Sequence, residues 1–246
     1  TNPLVGVDGR LALLHRLGAA LAERPDVFGR SARPGGLFDT LTVDRATEVR
    51  AHDILSHLLA ALSGIWPASN SIDGIPLGDC WPHPAVGWLP LHKLSQWVTY
   101  SLLEPFEWAG VEVTGLGELT GLPEYRNGGL LLDTGVLTLR DPDFADRPWR
   151  VDDELVVDWR ALTVALLDEI AGEVRAELGV TATQLPLACV LEGGTWAAGR
   201  EIAWFGLLDW PLLPVGGGRE TAGRFMEVHE VVMKGLYVLI ALHVLG

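Results

Sequence analysis

One long amphipathic segment constrains the fold of this chain more than any other feature. Across residues 159–178 an aliphatic side chain recurs at every fourth position, and acidic side chains lie between them. Residues four apart share one face of an α-helix, so this spacing predicts a helix that must bury one face against other elements. The aliphatic positions are Leu162, Leu166, Ile170, Val174 and Leu178, and the acidic positions are Asp168, Glu169, Glu173 and Glu177.

The same periodicity predicts three further helices. They cover residues 9–24, 44–63 and 91–103, and each carries leucines at helical spacing. We expect Pro105 to end the third helix, because proline removes a backbone donor and disrupts a helix interior.

The β content is predicted to be small. Residues 111–113 and 130–139 have the composition of short strands and would form a hairpin near 111–140. Residues 25–43 and 65–90 are rich in glycine and proline and are predicted to be loops. The sequence therefore predicts a mainly α fold with a small β component (α+β), built as a compact helical domain with a short strand hairpin.

The charge balance argues against several classes of partner. The formal net charge is −14, from 32 acidic and 18 basic residues, whereas nucleic acids and anionic membranes are usually bound by basic surfaces. The first residues lack the basic and apolar regions of a secretory signal. The most apolar run, residues 231–246, is shorter than the roughly 20 residues that span a bilayer. We therefore expect a cytoplasmic protein with a small-molecule substrate and no membrane or nucleic-acid partner, while the oligomeric state stays open.

Cysteine usage agrees with that compartment. Cys80 and Cys189 are the only cysteines in the sequence, which indicates a reducing environment rather than a disulfide framework.

Side chains able to carry chemistry concentrate in three stretches, residues 78–83, 92–104 and 122–133. No standard phosphate-binding loop, dinucleotide fingerprint, zinc-protease motif or serine-hydrolase motif is present. The structural alternatives are a solvated helix face at His92, Gln96 and Tyr100, a surface ion pair at Glu124 and Arg126, and a turn at Asp133.

Several sequence blocks carry a more specific signal. They are Phe38-Asp39, Ile65-Trp66-Pro67, Pro76-Leu77-Gly78-Asp79-Cys80-Trp81, Leu91-His92-Lys93-Leu94-Ser95-Gln96-Trp97, Leu103-Glu104-Pro105, and residues 120–129, 132–136, 154–163 and 191–200. In order and spacing these blocks resemble the uracil catabolism protein 4 family, and this chain resembles the C-terminal half of its members. The resemblance implies an enzyme of pyrimidine (uracil) degradation that acts on a ribose-linked ureido intermediate, through hydrolysis of an N-glycosidic bond.

That chemistry defines candidate site residues. It requires a carboxylate that stabilises an oxocarbenium-like transition state and an acid that protonates the leaving nitrogen. The catalytic candidates in the matched blocks are Glu124, Asp133, Asp158 and Glu192. The substrate-binding candidates are Asp79, Trp81, His92, Lys93, Gln96, Trp97, Arg126, Asn127 and Trp196, with the cations suited to a phosphate or carboxylate and the tryptophans to a flat ureido group.

One spatial arrangement is expected of these residues. Pro123 and the glycine pair 128–129 predict an irregular segment between them. The strand predicted to follow would carry Asp133 to the cleft that holds Glu124 and Arg126. We therefore expect these three side chains to share one pocket with Trp81 or Trp97.

A metal-dependent hydrolase of the same pathway is the alternative enzyme class. Its zinc ligands would come from Asp79, Cys80, His83 and His92. Their spacing matches no standard zinc pattern, so no metal site is assigned.

The tail after Ala203 departs from the family pattern. Residues 204–207, 229–230 and 239–246 resemble bacterial four-helix dihaem cytochromes b, and His229 and His243 would share one helix face. We therefore assign residues 1–203 to the uracil-catabolism-type domain and residues 204–246 to a helical tail of unrelated character. A haem-binding membrane cytochrome b fragment is the third functional alternative.

We predict that the purified protein carries no stoichiometric haem and no other cofactor. The resemblance to cytochromes b supplies only His229 and His243, and the opposing axial histidines have no counterpart in the sequence. An absorbance spectrum checks this prediction. A Soret band at one haem per chain that disappears in His243→Ala would contradict it.

Overall fold

The structure is a computed structural model that describes residues 6–43, 47–66 and 70–190, together with a strand pair at Ala203–Trp204 and Leu208–Asp209. Helices dominate these ranges, which confirms the mainly α fold with a small β component. The helices are α1 (Val7–Glu23), α2 (Pro25–Phe28), α3 (Gly36–Leu41), α4 (Ala51–Leu62), α5 (Lys93–Trp108), α6 (Tyr125–Asp133) and α7 (Glu154–Leu178).

The strands are short and form two-stranded sheets. They are β1 (Glu48–Arg50), β2 (Ser71–Ile72), β3 (Ile75–Pro76), β4 (Cys80–His83), β5 (Gly87–Pro90), β6 (Glu112–Thr114), β7 (Ala203–Trp204) and β8 (Leu208–Asp209). β1 pairs with β6 in parallel, and the pairs β2–β3, β4–β5 and β7–β8 are antiparallel.

The chain divides into two compact units. The first unit contains the chain up to Leu119 together with Val151–Val157, and the second contains Thr120–Arg150 and the chain from Asp158 onward. The predicted boundary at residue 203 stays a prediction, because most of the chain after residue 190 lies outside the described ranges.

The first unit is built around α4 and α5. Ile54 on α4 is fully buried, and α4 packs against α5. The parallel pair β1–β6 places Val49 opposite Val113, and both side chains are buried. Hydrophobic burial of this kind is the main favourable term in folding, so these contacts form the core of the unit.

A second core cluster lies beside the β4–β5 hairpin. Trp81 pairs with Leu89 across the hairpin, and the buried cluster joins Trp81 to Leu91 and Val157. Val157 is fully buried, so the returning segment 151–157 completes the interior of the first unit.

The predicted hairpin near 111–140 is wrong. β6 pairs in parallel with β1 rather than with residues 130–139, and residues 130–133 belong to α6. The irregular segment predicted between Pro123 and the glycine pair 128–129 is also wrong, because α6 begins at Tyr125 and includes both glycines. Tertiary packing has overridden the low helix propensity of glycine.

The helix predictions are otherwise confirmed, with altered bounds. α4 begins only at Ala51, because β1 precedes it. α5 continues through Pro105 to Trp108 instead of ending there. The region 25–43, predicted to be a loop, contains the two short helices α2 and α3.

The face that α7 buries within the second unit differs from the prediction. Thr163, Leu167 and Ala171 are buried, whereas Leu162 is 48% exposed. Each of these buried residues follows a residue of the predicted aliphatic row. Adjacent residues are about 100° apart around a helix axis, so the buried row is rotated by about 100° from the aliphatic row. The helix was predicted correctly, and its most buried row is offset by one residue from the predicted row, whose members Leu166, Ile170, Val174 and Leu178 are half-buried.

Glycine sets the closest approach within the second unit. A Cβ atom at Gly128 would lie 2.7 Å from Nε1 of Trp159 and 2.8 Å from Oγ1 of Thr163, and one at Gly121 would lie 2.9 Å from Cδ1 of Leu167. These positions have no space for a side chain, so α6 and the segment before it pack directly against α7.

This packing predicts opposite effects for two neighbouring substitutions. Gly128→Ala should lower the free energy of unfolding by about 1–3 kcal/mol, because its methyl group overpacks the α6–α7 contact. Gly129→Ala is the matched control: nothing lies within 4 Å of its Cβ position, so the gain in helix propensity should stabilise the protein by about 0.5–1 kcal/mol. Chemical denaturation measures both. Equal stability of the two variants would contradict the proposed contact.

Candidate functional site

Asp79 is the most heavily hydrogen-bonded residue of the first polar cluster. Its Oδ1 accepts the indole N–H of Trp81 at 2.7 Å, and its Oδ2 accepts the backbone N–H of Lys93 at 2.9 Å. Its carbonyl oxygen accepts the backbone N–H groups of Leu91 and His92. Asp79 therefore fastens the β4–β5 hairpin to the first turn of α5. Asp79 thus has a structural role. Substrate binding by Asp79 and by the buried Trp81 stays a prediction.

His92 lies directly before α5 in a left-handed backbone conformation, with φ of 44°. Burial lowers the pKa of its imidazole, and the negative charge of Asp79 opposes that effect. Burial, followed by the charge of Asp79, also raises the pKa of the Cys80 thiol. In the part of the chain that the structure describes, no three metal-ligating side chains come together, so His83 and these neighbours form no ligand group there.

His92, Gln96 and Tyr100 do not form a solvated face. Gln96 and Tyr100 are buried, and His92 is half-buried. Trp97 points the other way and is 39% exposed. The alternative of a solvated face for the four-residue spacing is therefore wrong, while substrate binding by Lys93, Gln96 and Trp97 stays a prediction.

Glu124 and Arg126 form the central pair of the third cluster. Glu124 has an extended backbone immediately before α6, and its side chain is only 17% exposed. Its Oε1 accepts a hydrogen bond from Nε of Arg126 at 3.2 Å and forms an ion pair with Nη2 at 3.2 Å. The side-chain amide of Asn127 donates to the carbonyl oxygen of Leu122 at 3.1 Å. A largely buried carboxylate is thus held next to a guanidinium at a helix start.

Two side chains of α7 bind the same segment through its backbone. Nε of Arg160 donates to the carbonyl oxygen of Pro123 at 3.4 Å, and Nε1 of Trp159 donates to that of Gly128 at 3.1 Å. Sequence reasoning did not assign either residue to the site. The only signal was their position in the matched block 154–163.

Asp133 and Glu124 lie at opposite ends of α6. Asp133 is the last residue of α6 and is exposed, whereas Glu124 directly precedes that helix. At 1.5 Å per residue the two are separated by about 13 Å along the axis, and by half a turn around it. The loop and strand that were expected to bring Asp133 to Glu124 and Arg126 are wrong, because the segment between them is a helix. The catalytic role of Asp133 stays a prediction.

The remaining predicted residues stand as follows. Asp158 lies near the start of α7 and is half-buried. Trp81 and Trp97 belong to the first unit, so their proximity to Glu124 stays a prediction. Glu192, Trp196 and the tail histidines His229 and His243 lie outside the described residues. Among the described residues, no helix is both long and apolar enough to cross a membrane.

The fold and site therefore define a mainly helical α+β protein in which a largely buried carboxylate pairs with an exposed guanidinium. Comparison with known proteins identifies its family. The family model described as "Protein of unknown function (DUF1688)" matches residues 1–205, and the chain belongs to this family. No solved structure matches the chain.

Two curated relatives confirm the resemblance inferred from the sequence. "Uracil catabolism protein 4" of Lachancea kluyveri is 41% identical over 236 residues, which cover 82% of this chain and 53% of the relative. "Protein urg3" of Schizosaccharomyces pombe is 42% identical over 207 residues, which cover 82% of this chain and 50% of the relative. The chain thus spans about half the length of these relatives.

The contacts of Asp79 predict that its removal mainly destabilises the fold. Asp79→Ala should lower the free energy of unfolding by about 2–4 kcal/mol, because the buried indole N–H of Trp81 loses its acceptor and α5 loses its cap. Asp141→Ala is the control: it removes an exposed hydrogen bond to the Asp143 N–H, and should cost about 1 kcal/mol or less. Thermal and urea unfolding measure the difference. Equal losses in the two variants would contradict the role of Asp79.

Proposed function

We propose that this chain acts in the degradation of uracil and hydrolyses the N-glycosidic bond of a ribose-linked ureido compound. The printed name of one relative, uracil catabolism protein 4, supports the pathway. The observation that carries the reaction is the Glu124 carboxylate, which is largely buried and bound to Arg126.

The reaction needs negative charge beside the sugar. As the bond between the anomeric carbon and nitrogen breaks, positive charge develops on the ribose ring, and a carboxylate stabilises it. Water supplies the oxygen that bonds to the anomeric carbon, and the departing nitrogen takes up a proton. For a ribosylurea the products are ribose and urea. In this proposal Glu124 is the stabilising carboxylate.

Arg126 contributes in two ways to this proposal. It places a positive charge 3.2 Å from Oε1 of Glu124. Its guanidinium, 58% exposed, also has the geometry to contact an anionic or carbonyl group of the substrate.

Asp133 is the less favourable choice for the second carboxylate of the reaction. Acid and base pairs of glycosidases lie about 5–9.5 Å apart, and the two ends of α6 exceed that range. We propose Asp158 for this role, because it is half-buried and lies on α7, the helix whose Arg160 binds the backbone next to Glu124. Glu192 stays a proposed alternative.

Incubation of the protein with ribosylurea, followed by mass spectrometry for urea and ribose, tests the proposal. We expect turnover by the unmodified chain and a loss of about 100-fold or more in Glu124→Gln, which keeps the shape and removes the charge. Asp133→Asn should retain turnover.

The matched control is Glu118→Gln. Glu118 also forms an ion pair with an arginine, Arg50, but on an exposed surface of the first unit, so its substitution should leave turnover unchanged. An unmodified chain that releases neither product would overturn the proposed reaction, and equal rates for Glu124→Gln and Glu118→Gln would overturn the role of Glu124.

A further inference from the structure

Trp159 and Arg160 are adjacent residues of α7, and both bind the backbone of the segment that carries Glu124. We propose that Trp159 and Arg160 are positioning residues, which orient the Glu124–Arg126 pair from α7. As far as it concerns turnover, this proposal rests on the function proposed above.

Arg160 holds the backbone on one side of Glu124. Its Nε donates to the carbonyl oxygen of Pro123. Because the peptide unit is planar, the direction of this carbonyl also sets the direction of the Glu124 N–H in the same plane. The proline ring fixes φ at Pro123 as well. The chain therefore enters Glu124 in one orientation.

Trp159 holds the backbone on the other side. Its Nε1 donates to the carbonyl oxygen of Gly128, and the N–H of Gly128 donates to the carbonyl oxygen of Glu124 at 2.9 Å. The missing Cβ of Gly128 allows the indole to lie directly against the helix. Thr163, which is buried, donates its hydroxyl to the carbonyl oxygen of Trp159 at 2.7 Å. Rotation of α6 about its axis would break these contacts together.

The ion pair between Glu124 and Arg126 does not by itself fix the orientation of the Glu124 side chain. Arg126 is 58% exposed, and an ion pair with so exposed a partner contributes little to a fixed geometry. The direction of the Glu124 side chain therefore depends on the backbone on both sides of it. That backbone is bound by α7 through two adjacent residues, whose side chains reach Pro123 and Gly128.

The test uses Trp159→Phe and Arg160→Gln, which remove one donor each. Trp149→Phe is the matched control, because Nε1 of Trp149 also donates to a carbonyl oxygen of the second unit, that of Phe144 at 2.7 Å. The first readout is the Nε–H resonance of Arg126 in a proton–nitrogen spectrum, identified by its loss in Arg126→Lys. The second is kcat and KM for ribosylurea. Melting temperatures accompany both readouts.

We expect the Arg126 resonance to shift or broaden in Trp159→Phe and Arg160→Gln and to stay unchanged in Trp149→Phe. In the same two variants kcat should fall about 10-fold or more, with KM within about twofold of the unmodified value, since small misplacement of a catalytic group mainly affects the chemical step. Arg160→Lys, which keeps a cationic donor, should recover part of kcat.

An unchanged resonance, or an unchanged kcat, in both variants overturns the positioning role. If Trp159→Phe does not fold, Arg160→Gln decides the question. If the unmodified chain turns over no ribosylurea, the proposed function fails, and the resonance of Arg126 still decides whether α7 orients the pair.

Discussion

The absence of a side chain at Gly128 governs how the second unit is assembled. Any larger residue would meet Trp159 and Thr163 at distances shorter than van der Waals contact. Because Gly128 has only a hydrogen atom at this position, the indole N–H of Trp159 reaches the backbone of α6 and donates to the carbonyl oxygen of Gly128. The carboxylate of Glu124 then stands at the start of a helix whose rotation is fixed. The candidate chemistry thus depends on a residue that has no functional group.

In the first unit, by contrast, polar residues have a structural role. Asp79 and Trp81 form a polar and aromatic cluster of the kind found in binding sites, yet their polar atoms bind each other and the start of α5. Thr99 is fully buried and donates its hydroxyl to the backbone of its own helix. Buried polar groups need hydrogen-bond partners wherever they lie. A cluster of polar residues in a sequence therefore indicates hydrogen bonds that stabilise the fold as readily as it indicates a binding site.

The sequence predicted the four longest of the described helices, α1, α4, α5 and α7, because each has a local periodic signal. It failed between residues 120 and 140, where Gly128 and Gly129 suggested a break and the contact with α7 stabilises a helix instead. The parallel pairing of β1 with β6 was also missed, because nothing local indicates which distant strand a three-residue strand will join. The Glu124–Arg126 pair could be predicted from two charges close in sequence. The contributions of Trp159 and Arg160 could not, since they depend on how two helices pack.

The position of Val157 has a consequence for the order of folding during synthesis. This residue is fully buried with Trp81 and Leu91, although the ribosome makes it long after the rest of the first unit. The whole of segment 120–150 is synthesised between the two pieces of that unit. Its interior therefore cannot close until the following unit has begun to emerge. Because this core is discontinuous in sequence, the first unit cannot be completed before part of the second unit has been synthesised. A chain arrested before residue 157 would leave the indole of Trp81 without one of its two buried neighbours, Val157.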